Sequence, residues 1–173
     1  MALSFRTLPL AAVLAFSTPA SAAGLIDAGM VERIREIASG HGSTEVDKLD
    51  DGSPRIKGRI DGIRYQILFY GCEKNGSKCQ NIQLYAGWSL AEGEKIDLTA
   101  INGWNRDYRY GKAYLDDEND PAIEYDISLE GGVSRENLDE SLETWSEVIS
   151  AFEDKVINGS RADSVETGTV DAR

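Results

Sequence analysis

Two short turns on either side of one apolar strand constrain the fold of this chain more than any other feature. The turns are Asp61-Gly62 and Asn75-Gly76, and the strand between them covers residues 63–71. Asp-Gly and Asn-Gly favour two-residue β-hairpins because both central residues take positive φ values. Taken separately, the two turns place Tyr65 and Ile67 on the same apolar face of the shared strand. This agreement predicts one register for three antiparallel strands, since a slip of one residue would turn the apolar set toward solvent.

The only two cysteines, Cys72 and Cys79, lie on either side of the second turn. A two-residue loop at Asn75-Gly76 sets them directly opposite each other, at a Cα separation of about 4.5–5.5 Å. That separation suits a disulfide, which we predict on the sheet face away from the core. In the chain-entropy account, a bond closing a loop of this size contributes about 2.5 kcal/mol. A redox-sensing bond is the alternative to a structural one.

The N-terminus has the pattern of a cleaved signal peptide. Arg6 precedes an apolar run over residues 8–16, and Ala20-Ser21-Ala22 matches the small-residue cleavage rule. The run is too short for a helix across a bilayer core about 30 Å thick, although an uncleaved anchor is the alternative. We therefore expect a signal peptide over residues 1–22, cleavage near Ala22, and a periplasmic or secreted protein. The even number of cysteines agrees with an oxidising compartment.

The chain is strongly acidic, with 30 Asp and Glu residues against 18 Lys and Arg residues and a formal net charge of −12. Signal cleavage would remove one cation, Arg6, and no acid. A surface of this sign repels nucleic acids and anionic lipids. We therefore expect no nucleic-acid partner and no membrane insertion after cleavage. A basic or neutral partner would suit the charge, although high charge also serves solubility alone.

Apolar periodicity predicts three helices and a set of hairpin strands in one domain over residues 23–157, followed by a disordered polar tail over residues 158–173. Asp27, Asp97 and Ser134 have the character of helix N-caps. Gly103 inside the second helix suggests close packing. Strands joined by hairpins predict a mainly antiparallel sheet of five or six strands with helices on one face. The expected fold is α+β, in the order α-β-β-β-β-α-β-β-α.

Residue types that carry catalysis or bind metals do not form a recognisable set. The predicted disulfide engages both cysteines, and the single histidine, His41, lies in a glycine turn without an evident partner. Asp116, Glu118 and Asp120 have the alternate spacing of a calcium loop. However, Pro121 occupies the sixth position, where such a loop needs glycine, and the twelfth position is not Glu. We therefore predict no catalytic residues, no metal site and no cofactor.

Five aromatic residues cluster in sequence around the second helix. Packing in the core and at its rim is one interpretation of the cluster. An exposed ligand or peptide groove is the other, because aromatic side chains are favoured in such sites. A strand predicted over residues 108–115 would place the three tyrosines on one face. The candidate partner-binding residues are Trp88, Trp104, Tyr108, Tyr110 and Tyr114.

Two short motifs resemble those of the YbjN family of bacterial proteins. They are Phe69-Tyr70-Gly71-Cys72, which is followed by Cys79, and Ile101-Asn102-Gly103-Trp104-Asn105. The resemblance covers roughly residues 25–157. It implies a fold similar to type III secretion chaperones, with three helices and a five-stranded antiparallel sheet. It also implies a role as a sensory transduction regulator, in a family without an established activity or catalytic residues.

These observations lead us to expect an exported, non-enzymatic binding or regulatory domain of the YbjN type. A groove or sheet face would engage a protein or peptide partner, and the chain is a candidate homodimer. A structural or stress-related envelope protein without a dedicated ligand is the alternative.

Overall fold

Antiparallel pairing runs through the whole sheet. The computed structural model describes residues 24–73 and 79–161. Its six strands lie in the spatial order β1-β2-β3-β4-β6-β5, and every pair is antiparallel. The strands are β1 Ser43–Lys48, β2 Pro54–Ile60, β3 Ile63–Tyr70, β4 Asn81–Gly87, β5 Lys112–Leu115 and β6 Pro121–Ser128. The helices are α1 Val31–Ala38, α2 Leu98–Asp107 and α3 Arg135–Phe152. The α+β fold and its element order are confirmed.

The β2–β3 hairpin turns at Asp61 and Gly62, whose φ values are 50° and 92°. These values are the ones that a two-residue hairpin loop requires. Ile56 lies opposite Ile67 in this hairpin, and Ile67 lies opposite Leu84 in the next. Both pairings are those predicted, although the Asn75-Gly76 turn itself lies outside the described residues. The two hairpins therefore share one apolar face of β3.

The core lies between that face of the sheet and the helices. Alternate residues of β3, from Ile63 to Phe69, are at most 7% exposed, while the residues between them are partly or fully exposed. On the helix side, Trp145 and Phe152 of α3 are fully buried. The opposite face of the sheet carries mostly polar side chains, and we call it the open face.

Side-chain caps begin two of the three helices as predicted. The Asp97 carboxylate accepts a hydrogen bond from the Thr99 amide at 2.7 Å. The Ser134 hydroxyl accepts one from the Asn137 amide at 3.1 Å. The prediction for Asp27 was wrong, because its carboxylate accepts from the Gly29 amide and closes a turn before the helix. Helix α1 begins later, with Met30 as an N-cap that makes no side-chain hydrogen bond.

A disulfide joins Cys72 and Cys79, as predicted, but it does not lie on the open face. Cys79 is only 7% exposed and belongs to the hydrophobic core, and Cys72 packs against that core. Strand β3 ends at Tyr70, and Gly71 takes a φ of +66°. The regular alternation of the strand therefore stops before Cys72. From there on, counting alternate residues no longer predicts which face of the sheet a side chain lies on.

Two further expectations, about the packing of Gly103 and the length of one strand, were wrong. A Cβ atom added to Gly103 would meet no atom within 4 Å, so close packing does not explain this glycine. The strand predicted over residues 108–115 covers only Lys112–Leu115. Gly111 precedes it with a φ of +82°, a value that an extended strand does not accommodate. Tyr108 and Tyr110 therefore lie outside the strand.

Helix α3 continues past Phe152 as a π-helical segment, Glu153–Asn158, and residues 159–161 remain helical. The first four residues of the predicted tail thus continue this helix, and residues 162–173 lie outside the described part. The predicted signal peptide also lies outside it. None of the helices in the described ranges is long and apolar enough to cross a membrane.

Candidate functional site

One row of charged and polar side chains crosses the whole open face. The registers of all five strand pairs place its members side by side: Glu45, Lys57, Gln66, Tyr85, Glu124 and Lys112. The pair Arg59 and Arg64 lies next to this row on β2 and β3. Cations thus gather on β2 and β3, at one side of a chain that is acidic as a whole.

A groove of about 740 Å³ opens on this face, between the β2–β3 hairpin and the β5–β6 turn. Its cationic side carries Arg55, Lys57, Arg59 and Arg64 together with one carboxylate, Glu45, and its acidic side carries Asp116, Glu118 and Asp120. Tyr85 and Gly87 of β4 line the groove between the two sides. The volume lies within the range of 300–1,000 Å³ that is usual for ligand sites. We refer to this feature as the polar groove.

Two of the four cations on the cationic side share one carboxylate of the same chain. Arg55 and Lys57 both form ion pairs with Asp47 of β1. The hydrogen bonds from Lys57 and Arg55 hold the pKa of the Asp47 carboxyl well below its usual range. The Nε atom of Arg55 is buried, and no partner for it occurs among the described residues. Arg55 therefore retains one donor that the fold leaves unsatisfied.

The other two cations are exposed. Arg59 donates from Nη1 to the carbonyl oxygen of Gly62 at 2.6 Å, across its own hairpin turn. A bond to a backbone carbonyl leaves the positive charge without a carboxylate partner. Arg64 makes no hydrogen bond or ion pair with any residue in the described part of the chain. The cationic side thus presents uncompensated charge toward the groove.

Tyr85 forms the floor because β4 ends in a glycine. A Cβ atom at Gly87 would lie 2.6 Å from the Tyr85 hydroxyl oxygen, so only glycine lets the phenol lie along the strand in this position. Burial raises the pKa of Tyr85, and the nearby carboxylates of Asp116, Glu124 and Asp120 add to that shift. The Tyr85 hydroxyl is therefore close to the acidic side of the groove.

The acidic side is a tight turn whose carboxylates lie close together. Oxygen atoms of Asp116, Glu118 and Asp120 all lie within 4.8 Å of one another. The Asp116 Oδ1 atom accepts hydrogen bonds from the amides of Glu118 and Asp120, both at 2.9 Å. Asp120 Oδ1 accepts from the Leu90 amide at 2.9 Å. These bonds explain why Asp116 and Asp120 suit the turn, and they give no independent sign of a bound cation.

The five aromatic residues predicted as partner contacts do not form one surface. Trp104 is 3% exposed, packs edge-on against Phe152 and stacks on Tyr108 at 3.9 Å between ring centroids. Trp88 also packs against Phe152, and it donates from Nε1 to Glu153 at 3.0 Å. These side chains lie on the helix side of the sheet.

The two remaining tyrosines of that group lie in different surroundings. Tyr110 is 44% exposed and contacts Tyr125, a residue of the core-facing set of β6. Tyr114 lies on the open face, where its hydroxyl donates to Glu124 Oε1 at 2.6 Å. Of the predicted aromatic group, only Trp88 borders the polar groove, just past the end of β4. Its ring packs against Phe152, and its indole nitrogen bonds to Glu153 on the helix side.

His41 has a partner that the sequence did not reveal. Its Nε2 atom lies 2.8 Å from Oδ1 of Asp139, which is 98 positions away in the chain. This contact joins the end of α1 to the first turns of α3. No serine hydroxyl or other nucleophile is hydrogen-bonded to His41 within the described ranges, so the pair has the form of a link between helices.

The family model described as "Putative bacterial sensory transduction regulator", YbjN, matches residues 30–158. The chain belongs to the YbjN family. A search among curated proteins found no match. Two residues of helix α2 bond to the chain at β5 and just before it: Trp104 Nε1 donates to the Gly111 carbonyl, and the Asn105 side chain bonds the backbone of Ala113.

The sequence analysis singled out the acidic turn and Trp88, but it did not bring them together with Arg59 and Arg64 in one groove. The pairing of Arg59 with Arg64 followed from the Asp61-Gly62 turn, and could have been noticed as a doubled positive charge. The approach of the Asp116–Asp120 turn to that pair could not, since it depends on β6 inserting between β4 and β5.

Proposed function

We propose that this chain is an exported, non-enzymatic regulatory domain that engages a protein or peptide partner through the polar groove. Family membership supports a regulatory role. The observation that carries the groove assignment is the positive charge of Arg59 and Arg64, which has no carboxylate partner among the described residues. Exposed guanidinium groups without a carboxylate partner can bind an acidic group of another molecule through charge-assisted hydrogen bonds.

The exported setting rests on two independent features. The disulfide between Cys72 and Cys79 is consistent with an oxidising compartment. The N-terminal residues 1–22 have the pattern of a signal peptide. N-terminal sequencing of the protein recovered from the periplasm or medium should start near Ala23. Recovery of the full chain from the cytoplasm alone would contradict export.

Site-specific photo-crosslinking tests the partner assignment. A photoreactive phenylalanine analogue replaces Tyr85 in the groove of the full exported chain, and a control chain carries it at Asn102, an exposed position on α2 away from the groove. We expect covalent adducts of defined mass at the groove position only. Adducts of twice the chain mass would identify the partner as a second copy, and sedimentation of the purified protein would then show the predicted homodimer.

The absence of adducts at the groove position, or the same adducts at both positions, would contradict groove binding. It would favour the alternative of a structural or stress-related envelope protein without a dedicated ligand.

A further inference from the structure

The polar groove has charges of opposite sign on its two sides, and this limits what it can bind. We infer that its ligand is an extended peptide segment with one acidic and one basic side chain four residues apart. The acidic side chain would pair with Arg59 and Arg64, and the basic one with the Asp116–Asp120 turn. This inference rests on the proposed function and adds to it the chemistry of the partner.

The cationic side can hold a carboxylate without losing a bond that the fold needs. Arg64 is exposed and has no partner within the described residues. Arg59 uses one guanidinium nitrogen on the Gly62 carbonyl, which leaves its other donors available. A guanidinium group presents five donors in a fork that matches a carboxylate. Two adjacent guanidinium groups therefore donate more hydrogen bonds to a carboxylate than any single lysine can.

The acidic side likewise has spare acceptors. The Glu118 carboxylate is exposed and accepts no hydrogen bond from the described residues. Asp116 and Asp120 each use only one oxygen atom in the bonds that form the turn. An ammonium or guanidinium group from a partner can therefore approach this turn without disrupting it.

The combination of the two sides argues against a simple ion as the ligand. A lone anion at Arg64 would be repelled by the carboxylates across the groove, and a lone cation at Glu118 would be repelled by the arginines. A segment that carries both charges is attracted at both ends. Such complementarity contributes more to specificity than to raw affinity.

The sheet geometry gives the spacing of the two charges. Arg64 lies on β3 and the acidic turn leads into β6, with β4 between them. Neighbouring strands are about 4.8 Å apart. The backbone at the start of β6 is therefore about 10 Å from that of β3, which carries Arg64, and about 14 Å from that of β2, which carries Arg59. An extended peptide advances about 13 Å over four residues, and residues four apart point to the same side. A peptide lying across the strands can thus direct both charged side chains into the groove.

Peptide titration followed by amide NMR shifts tests this inference on the mature chain. The first probe is the synthetic peptide acetyl-Lys-Thr-Val-Thr-Glu-amide, which carries both charges and is called the dipolar peptide. The other two are variants of it, one with Lys at both charged positions and one with Glu at both. We expect the dipolar peptide to bind most tightly and to shift the amides of Gln66 and Tyr85. Binding should weaken as salt rises, because exposed charges are screened.

Charge reversal on each side should switch the preference. Arg64→Glu should weaken binding of the dipolar peptide by about fivefold to tenfold and improve binding of the doubly basic peptide. Glu118→Lys should weaken binding of the dipolar peptide by a similar factor and improve binding of the doubly acidic peptide. The double variant should regain dipolar binding, since the peptide can reverse its direction.

Arg109→Glu and Glu140→Lys are matched controls, since they make the same charge changes at exposed positions outside the groove. They should leave the peptide preferences unchanged. Equal affinity for all three peptides, or control variants that act like the groove variants, would overturn the inference. Either result would leave the crosslinking test of the proposed function intact, because that test does not depend on ligand charge.

Discussion

At the scale of single residues, two glycines in regular elements have opposite physical roles. Gly58 of β2 lies opposite Tyr65, and a Cβ atom there would meet the Tyr65 ring at 2.2 Å. The tyrosine ring therefore occupies the space that a side chain at position 58 would need. Gly103 of α2 has no atom within 4 Å of an added Cβ, so nothing in the fold requires glycine there.

The substitution Gly58→Ala should lower the free energy of unfolding by about 1–3 kcal/mol, because overpacking forces the ring or the strand to move. The matched change Gly103→Ala should raise it by about 0.5–1 kcal/mol, since alanine restricts the unfolded chain and favours a helix. Urea unfolding followed by tryptophan fluorescence measures both. Equal effects of the two changes would contradict this account of Gly58.

Tyr65 is 2% exposed, and no partner for its hydroxyl occurs among the described residues. Burial raises the pKa of this tyrosine to about 12. Tyr65→Phe should therefore keep or raise the free energy of unfolding, by up to about 1 kcal/mol. Tyr114→Phe is the control, and it should cost about 1 kcal/mol because it removes the hydrogen bond to Glu124.

The same tyrosine gives a pH dependence with a defined sign. Its folded pKa lies above the unfolded value of about 10, so the unfolded chain loses this proton first. Stability should thus decline as pH rises between about 10 and 12, and Tyr65→Phe should reduce that decline. An unchanged alkaline profile, measured by urea unfolding across this range, would show that the hydroxyl is solvated.

At the scale of elements, α2 closes one edge of the sheet. Strand β5 lies at that edge, and the backbone of Ala113 there bonds to the side chain of Asn105. The Asn105 Nδ2 atom donates to the Ala113 carbonyl, and Asn105 Oδ1 accepts from the Ala113 amide, both at 2.9 Å. A side-chain amide thus takes the place of a neighbouring strand. Covered edges resist pairing with other chains.

Asn105→Ala should lower the free energy of unfolding by about 1–3 kcal/mol, because it leaves two backbone groups of a buried residue without partners. Hydrogen exchange at the Ala113 amide should accelerate in the same variant. Asn102→Ala on the same helix is the control and should change neither quantity, since Asn102 is exposed. If both variants behave alike, the bonds to Ala113 do not hold this edge.

At the scale of the whole molecule, the disulfide connects the end of β3 to the core. Cys79 is a member of the hydrophobic core and Cys72 packs against it, so the bond secures the hairpin at the point where β3 stops. The cysteines are 7 positions apart. In the chain-entropy account this small loop still contributes about 2.5 kcal/mol.

Replacement of both cysteines by alanine should therefore lower the free energy of unfolding by about 2–4 kcal/mol, since buried side-chain contacts are lost as well. Reduction of the wild-type bond alone should give most of this loss, about 2.5 kcal/mol. Calorimetry with and without reductant compares the two. If the variant is as stable as the oxidised wild type, the disulfide does not stabilise the fold, and a redox-regulatory role is the remaining interpretation.

The sequence by itself determined the secondary-structure order, the register around β3 and the class of fold. The Asp61-Gly62 turn acts locally, and the strict alternation of a strand carries its effect along the chain. The caps at Asp97 and Ser134 were equally local. Tertiary structure decided the rest: the groove between Arg64 and Glu118, the bond from Asn105 to β5, and the side on which the disulfide lies. These features join segments far apart in the chain or follow a break in alternation, and no local pattern encodes either.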